Sequence, residues 1–355
     1  MNSKRTNSRK PLLRYFVYAL VVLLLLAGVV TYKGWQIVFG SNVHLLQGKS
    51  YAYVYIKTGS TYDGVLKQLS DEGVITNSLT FDWVAQLMKY PEKVRSGKYK
   101  VVHGWSNKKL LSVLRSGEQE EVKVVLRGYT DLVATSGIIG RQLEADSVEL
   151  LQMLNSPEVQ NSLGFDEDNI TGLVIPDTYS FYWNTSAAKV LERLRSEYEK
   201  FWNAERKQKA GKLNLSPQQV SALASIVAKE TVKNDEMPVV AGVYLNRLKK
   251  GMLLQADPTV IFAAKDPSIR RVTNALLNLD SPYNTYRYKG LTPGPICIPP
   301  VMAIDAVLNA RQHNYIYFCA KEDFSGYHNF AETLEQHNVN ARLYQRELNK
   351  RKIYR

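Results

Sequence analysis

The sequence predicts an α+β protein in three parts: a single N-terminal transmembrane helix, a small α/β module, and a larger mixed α+β domain. Three observations carry this. An uncharged run, residues 15 to 32, follows a basic tail. Two strand–turn–helix patterns then fill residues 51 to 117. The rest mixes amphipathic helices with short strands and Pro/Gly-rich loops, without a solenoid period. A chain of 355 residues that is 45% hydrophobic and 22% charged has apolar material for about two packed domains.

The N-terminal part comes first. Lys4, Arg5, Arg9, Lys10 and Arg14 make residues 1 to 14 a basic tail without an acid. The apolar run YFVYALVVLLLLAGVVTY has a helical length of about 27 Å, close to the hydrocarbon thickness of a bilayer. Tyr15, Tyr18, Tyr32 and Trp35 flank it as interfacial aromatics do. A cleaved signal peptide would need a small-x-small site, which GVVTYKGW does not offer. Residues 15 to 35 are therefore expected to be an uncleaved anchor in the cytoplasmic membrane. The basic tail places the N-terminus in the cytoplasm and the bulk of the chain on the outer side. Residues 36 to 50 read as a linker. The tail contributes +5 of the net +13, so the outer part is also basic, which suits anionic headgroups or an acidic polymer. Nucleic acid is not expected on that side.

In the module, Tyr51, Tyr53 and Tyr55 alternate with Ala52, Val54 and Ile56 as in a strand. Ser60 or Thr61 caps a helix that Gly73 stops, and SLTFDWVAQLMKY is a second helix ending before Pro91. Tyr99 to Val102 then form a strand, His103-Gly104 a turn, and Asn107 to Leu114 a helix ended by Gly117. Residues 51 to 119 resemble, loosely, the LysM unit that binds N-acetylglucosamine polymers; a purely structural role fits the same pattern.

The larger domain opens with an alternating strand in EEVKVVLRGY, residues 120 to 129, and helices over 130 to 163. TGLVIPDTYSFYWNTS reads as a turn-rich aromatic segment, and AAKVLERLRSEYEKFWNAER as one long amphipathic helix. Ser216, Pro217 and Gln219 supply an N-cap, an N1 proline and a capping-box partner for a helix running to about Thr231. A second helix starts at Pro238 and closes at Gly251. A loop region reaches Leu279, a hairpin turns at Ser325-Gly326, and a basic helix begins near Glu332.

The chemistry narrows by elimination. H-E-x-x-H, C-x-x-C, G-x-S-x-G and ligand-spaced histidine pairs are all missing, so a metal site or a serine hydrolase has no support. QGKS at 47 to 50 is an incomplete phosphate loop, with Val43 where glycine is required. Cys297 and Cys319 could pair, but sequence does not decide it. The 22 tyrosines suit a sugar-binding surface, and equally an ordinary core. Carboxylates remain. In LASIVAKET, Leu223, Ile226 and Val227 form an apolar stripe, and Glu230 lies about 20° from Leu223 around the helix. A carboxyl group carried into a partly apolar cleft holds its proton near neutrality and can donate it. A glutamate at a helix end also pairs ordinarily with Lys229, Lys233 or Arg247, and the helix alone leaves both readings open.

LASIVAKET, VYLNRLKKGMLLQADPTVIFA and SPYNTYRYKGLTPGPI, in this order, resemble the endolytic murein transglycosylases of the MltG (YceG-like) family. The resemblance is strong over about 220 to 300 and weak before 120. It implies that residues 120 to 355 are the catalytic domain and that Glu230 is the catalytic acid. The family often carries a second glutamate two residues earlier, where this chain has Ala228. The implied substrate is the glycan strand of peptidoglycan, cleaved between N-acetylmuramic acid and N-acetylglucosamine without water or cofactor. The implied partners are membrane lipid and the peptidoglycan synthases. Gln255, Asp257, Thr259, Tyr283, Asn284, Thr285, Tyr286, His328 and Asn329 are the expected groove residues, with Asp257 equally readable as a turn-former before Pro258. Two alternatives stay open: a hydrolase pairing Glu230 with Asp257, and a non-catalytic wall-binding scaffold.

Overall fold

The computed structural model describes residues 9–45, 48–266, 269 and 272–351. Residues 1–8 of the expected tail, 46–47 of the expected linker, 267–268 and 270–271 of the expected loop region, and 352–355 of the expected basic helix lie outside the described residues. The chain divides into two compact units, residues 1–122 with Tyr182–Asn184, and the remainder.

The first unit begins with α1 (Arg9–Phe39). Within it Leu13–Phe39, 27 residues whose most apolar 18-residue stretch has a mean hydropathy of 2.4, is the one helix among the described residues long and apolar enough to cross a membrane. The expected linker is structured over its first part. Helix α1 continues through Phe39, Ile37 and Val38 pack on the core, and Val43 is fully buried. The reason is a pair of buried amides. Asn107 Nδ2 donates to the Ile37 carbonyl at 2.9 Å, and Asn42 Nδ2 donates to Asn107 Oδ1 at 2.7 Å. Asn42 Oδ1 accepts from Thr76 Oγ1 and from the Asn77 N–H, both at 2.8 Å. A helix C-terminus leaves carbonyls to be satisfied, and here a side chain of the module supplies the donor.

The module is β1 (Tyr51–Ile56), α2 (Tyr62–Asp71), α3 (Ser78–Leu87), β2 (Gly97–Val102) and α4 (Asn107–Ser116). Alternation sends Val54 and Ile56 into the core and Tyr51 and Tyr55 outward. The strands pair antiparallel, Tyr53 opposite Lys100 and Tyr55 opposite Lys98, and Lys98 Nζ lies 3.9 Å over the Tyr53 ring. Thr61, not Ser60, caps α2, and Gly117 ends α4 with φ +75°, a conformation that favours glycine.

The second unit contains β3 (Val122–Leu126), which starts at the unit boundary, then α5 (Leu132–Gly140), α6 (Ser147–Asn155), α7 (Pro157–Leu163) and β4 (Asp177–Phe181). The segment expected to be turn-rich thus contains a strand, which pairs with β3. The expected long helix is two, α8 (Ala187–Phe201) and α9 (Ala204–Lys212). The break follows from Asn203, whose side chain caps α9, and from Trp202, which turns fully into the core. Next come α10 (Pro217–Glu230), α11 (Met237–Lys249), α12 (Asp257–Ala263), α13 (Asn274–Leu277) and α14 (Val301–Leu308). The unit ends with a hairpin of β5 (Tyr317–Ala320) and β6 (His328–Ala331), followed by α15 (Leu334–Lys350).

Helix α10 is the central rod of this unit. Its capping box is formed on both sides, and residues 220–228 are buried on every face. A helix apolar all round must lie inside a core. Here α11 and α14 pack on it, with Ile226, Val240, Ala303, Ile304 and Val307 in one buried cluster.

Candidate active site

The central helix ends on its carboxylate. Glu230 is the last residue of α10, and Thr231 leaves the helix in extended conformation. Glu230 is partly exposed, yet protein surrounds its carboxyl group closely enough to desolvate it. Burial pushes its pKa up from 4.5 to about 7; the Tyr244 hydrogen bond opposes this, the Asp257 charge adds to it, and the Arg247 charge opposes it. Tyr244, buried on α11, donates its phenol proton to Oε1 at 2.7 Å. Among the described residues no lysine or arginine forms an ion pair with Glu230.

Arg247, three residues along α11 from Tyr244, is committed elsewhere. Its Nε donates to the Ile316 carbonyl at 2.6 Å and its Nη1 to the Leu254 carbonyl at 2.7 Å, and its guanidinium lies 5.4 Å from the Tyr317 ring centroid. It is a buried cation satisfied by backbone, and it ties the 253–255 segment to the hairpin. Burial pushes its own pKa down.

The nine expected groove residues divide into distinct groups. Three face inward. Thr259 Oγ1 donates to the Ala256 carbonyl at 2.7 Å and lies 2.8 Å from Thr285 Oγ1, which accepts the Ala256 N–H at 2.9 Å. Asn284 Nδ2 donates to the Leu277 and Leu279 carbonyls. All three side chains are buried and hold loop to loop. Gln255 is exposed, has φ +50°, and donates its N–H to the Thr285 carbonyl. The loops thus join α12 to the 281–288 segment. Their outward groups are Asp257, whose Oδ1 accepts the Tyr286 phenol at 2.5 Å, and Tyr286 itself. Burial, the Asp257 bond and charge, and the Glu230 charge all push the Tyr286 phenol up.

Tyr283 donates to Asp168 Oδ1 at 3.0 Å and packs against Phe262, ring centroids 4.8 Å apart. Both line a cleft of about 960 Å3 with Lys229, Pro258, Tyr129 and Cys297. Glu230 is not among its lining residues, although Lys229 precedes it and Pro258 follows Asp257. The cleft wall is the 292–298 loop, fixed when the Ile296 N–H donates to Ser225 Oγ at 2.9 Å. Gly294 is obligatory there, because a Cβ would fall 1.8 Å from the Asp168 carbonyl oxygen. Cys297 and Cys319 are free thiols.

His328 and Asn329 lie on β6. His328 Nδ1 and its backbone N–H meet the two oxygens of buried Glu236 at 2.8 and 2.7 Å, and Asn329 Nδ2 donates to Glu322 at 2.9 Å. They fasten the hairpin. Among the described residues no group of His, Cys, Asp and Glu could hold a metal ion. Arg247 was expected only as a possible ion-pair partner of Glu230, and its hydrogen bonds go to backbone carbonyls instead; Tyr244 and Glu236 were not legible as site residues, the one hint being Tyr244 and Arg247 at i, i+3 on one helix.

The arrangement is a carboxyl group kept protonated near neutrality, beside a second carboxylate, next to an aromatic-lined cleft. A carboxyl group in that state can give up and take back a proton near neutral pH. The chain belongs to the YceG-like family, whose sequence profile matches residues 54–343. It is similar to the endolytic murein transglycosylases of two Streptococcus pneumoniae strains, D39 and R6, each 27% identical over 360 residues and covering 92% of this chain. The chain spans 64% of the length of those relatives. The endolytic murein transglycosylase of Bacillus subtilis strain 168 is 27% identical over 312 residues, 82% of this chain and 84% of the relative. A YceG-like protein of Listeria monocytogenes, solved by crystallography, superposes with a TM-score of 0.55 at 26% identity, covering 82% of this chain and 99% of that one.

Proposed function

We propose that this chain is an endolytic peptidoglycan lytic transglycosylase held at the cytoplasmic membrane by α1. The observation that carries the reading is Glu230, a desolvated carboxyl group with a pKa of about 7 and no ion-pair partner among the described residues. Protonated, it donates to the oxygen of the glycosidic bond between N-acetylmuramic acid and N-acetylglucosamine. That bond breaks as C1 of the muramic residue gains oxocarbenium character. The resulting carboxylate takes the proton of the same sugar's C6 hydroxyl, and O6 closes on C1 as a 1,6-anhydro ring. One product ends in a free 4-hydroxyl and the other in the anhydro sugar. Protons balance and Glu230 is restored, so one carboxylate suffices where a hydrolytic glycosidase uses two.

The aromatic cleft at Phe262 and Tyr283 would seat the strand, with Asp257 and Tyr286, which act electrostatically on Glu230 or respond to its charge, and with exposed Gln255 two residues before Asp257. The N-terminal module would add a LysM-like contact to glycan. The basic tail favours an outward-facing catalytic unit, where strands emerge beside the synthases. Asp257 supports a second reading, a two-carboxylate hydrolase, because its charge bears on Glu230.

Mass spectrometry of muropeptides released by the full chain in detergent separates these. The proposed reaction leaves anhydro ends, lighter by one water than hydrolytic ends. Glu230→Gln should release nothing under either chemistry, whereas a binding scaffold would release nothing even as the wild type. Asp257→Asn should keep measurable cleavage if the ring closes intramolecularly, and lose it as fully as Glu230→Gln if water attacks.

A further inference from the structure

We infer that Tyr244 is a positioning residue for the proposed reaction, fixing Oε2 of Glu230 as the oxygen that gives up and takes back the proton. The inference rests on the functional reading above and adds an assignment within it. The phenol donates to Oε1 at 2.7 Å. The carbonyl oxygen of a carboxylic acid is its better acceptor, so the acid O–H falls on Oε2 and the reactive proton faces away from Tyr244. Once the proton has left, the same phenol bonds a charged acceptor and strengthens, which stabilises the carboxylate between the two half-steps.

The phenol is held on its other side. Its ring meets Phe318 edge-on, at 5.9 Å and 90°, and Phe318 meets His328 edge-on at 5.2 Å. Both the Nδ1 and the backbone N–H of His328 are engaged by Glu236. The ring of Tyr244 is thus packed against the hairpin, which restrains the hydroxyl at Oε1. The other groups acting on Glu230 are Asp257, which opposes its ionisation, and Arg247, which favours it; Tyr286, itself raised by the Glu230 charge, stays neutral on Asp257. Among the described residues, the Tyr244 phenol is the group seen hydrogen-bonded to a Glu230 carboxyl oxygen.

Tyr244→Phe keeps the ring and removes the bond. The readouts are the pH profile of strand cleavage by the full chain in detergent, and a 13C NMR titration of glutamate carboxyls without substrate. The wild-type alkaline limb follows Glu230 near 7. The variant should titrate about one unit higher in both measurements, because a bond favouring the ionised form is gone. Its kcat should fall about tenfold with KM changed by less than about twofold. A melting temperature close to wild type excludes a folding defect, and a merely structural role would move neither titration. Unchanged kcat and unchanged titration would overturn the assignment. If the wild type releases no product, the functional reading fails instead, and the NMR titration still decides whether Tyr244 governs Glu230.

Discussion

Replacing Glu230 by glutamine should make the protein more stable while removing its chemistry. The native fold holds the Glu230 proton to a pKa of about 7, against 4.5 ordinarily. Between those values the folded chain binds more protons than the unfolded one, so stability falls as pH rises through the window. At about 1.4 kcal/mol per tenfold change in proton affinity, the carboxylate form destabilises the fold by about 3 kcal/mol above pH 7. Partial exposure of the residue makes that an upper value, and roughly 2 to 3 kcal/mol is the working expectation. Glutamine has the same shape, accepts the Tyr244 phenol through its carbonyl oxygen and does not titrate. Urea unfolding of both full chains in detergent, followed by circular dichroism between about pH 4 and 8, reads the difference. The curves should meet near pH 4 and part by about 2 to 3 kcal/mol at pH 8, with the glutamine variant above. Parallel curves, or a wild type more stable at pH 8, would refute the claim that burial dominates the Glu230 environment.

Other perturbations test the frame around the acid. Arg247→Met strips donors from the Ile316 and Leu254 carbonyls and should cost about 3 kcal/mol or more by chemical denaturation. Thr285→Val keeps the shape but orphans the buried Ala256 N–H; it should cost about 1 to 3 kcal/mol while leaving the KM for glycan near wild type, since the hydroxyl points into the core. Gly294→Ala drives a methyl into the Asp168 carbonyl and should lower the thermal midpoint by several degrees or abolish soluble expression.

Legibility followed the range of the forces involved. Strand β1 was readable from alternation alone, and α10 from its cap and first turn, because both signals are local. The split between α8 and α9 was not, since Trp202 looks like one more apolar position until the core claims it. The same limit governs the site. Glu230 stood out because a charge interrupts an apolar stripe, a contrast carried by sequence. For Thr259, Asn284 and Thr285, composition revealed a capacity to hydrogen-bond but no direction. Direction is set by the left-handed turn at Gln255 and by loop-to-loop pairing across 29 positions, from Ala256 to Thr285. Tyr244 was hidden for the opposite reason: a tyrosine on a core helix reads as packing, and its hydroxyl matters only because another helix ends against it.

The amides of Asn42 and Asn107 have a mechanical consequence for the first unit. With its terminal turn bonded into the module, α1 is a handle on a rigid head, not a tether. These bonds and the packing of Ile37 and Val38 on the module core couple a lean of that rod to the head. On the proposed reading of α1 as a membrane anchor, the tilt of that rod would set which side of the tyrosine-bearing sheet looks away from the lipid.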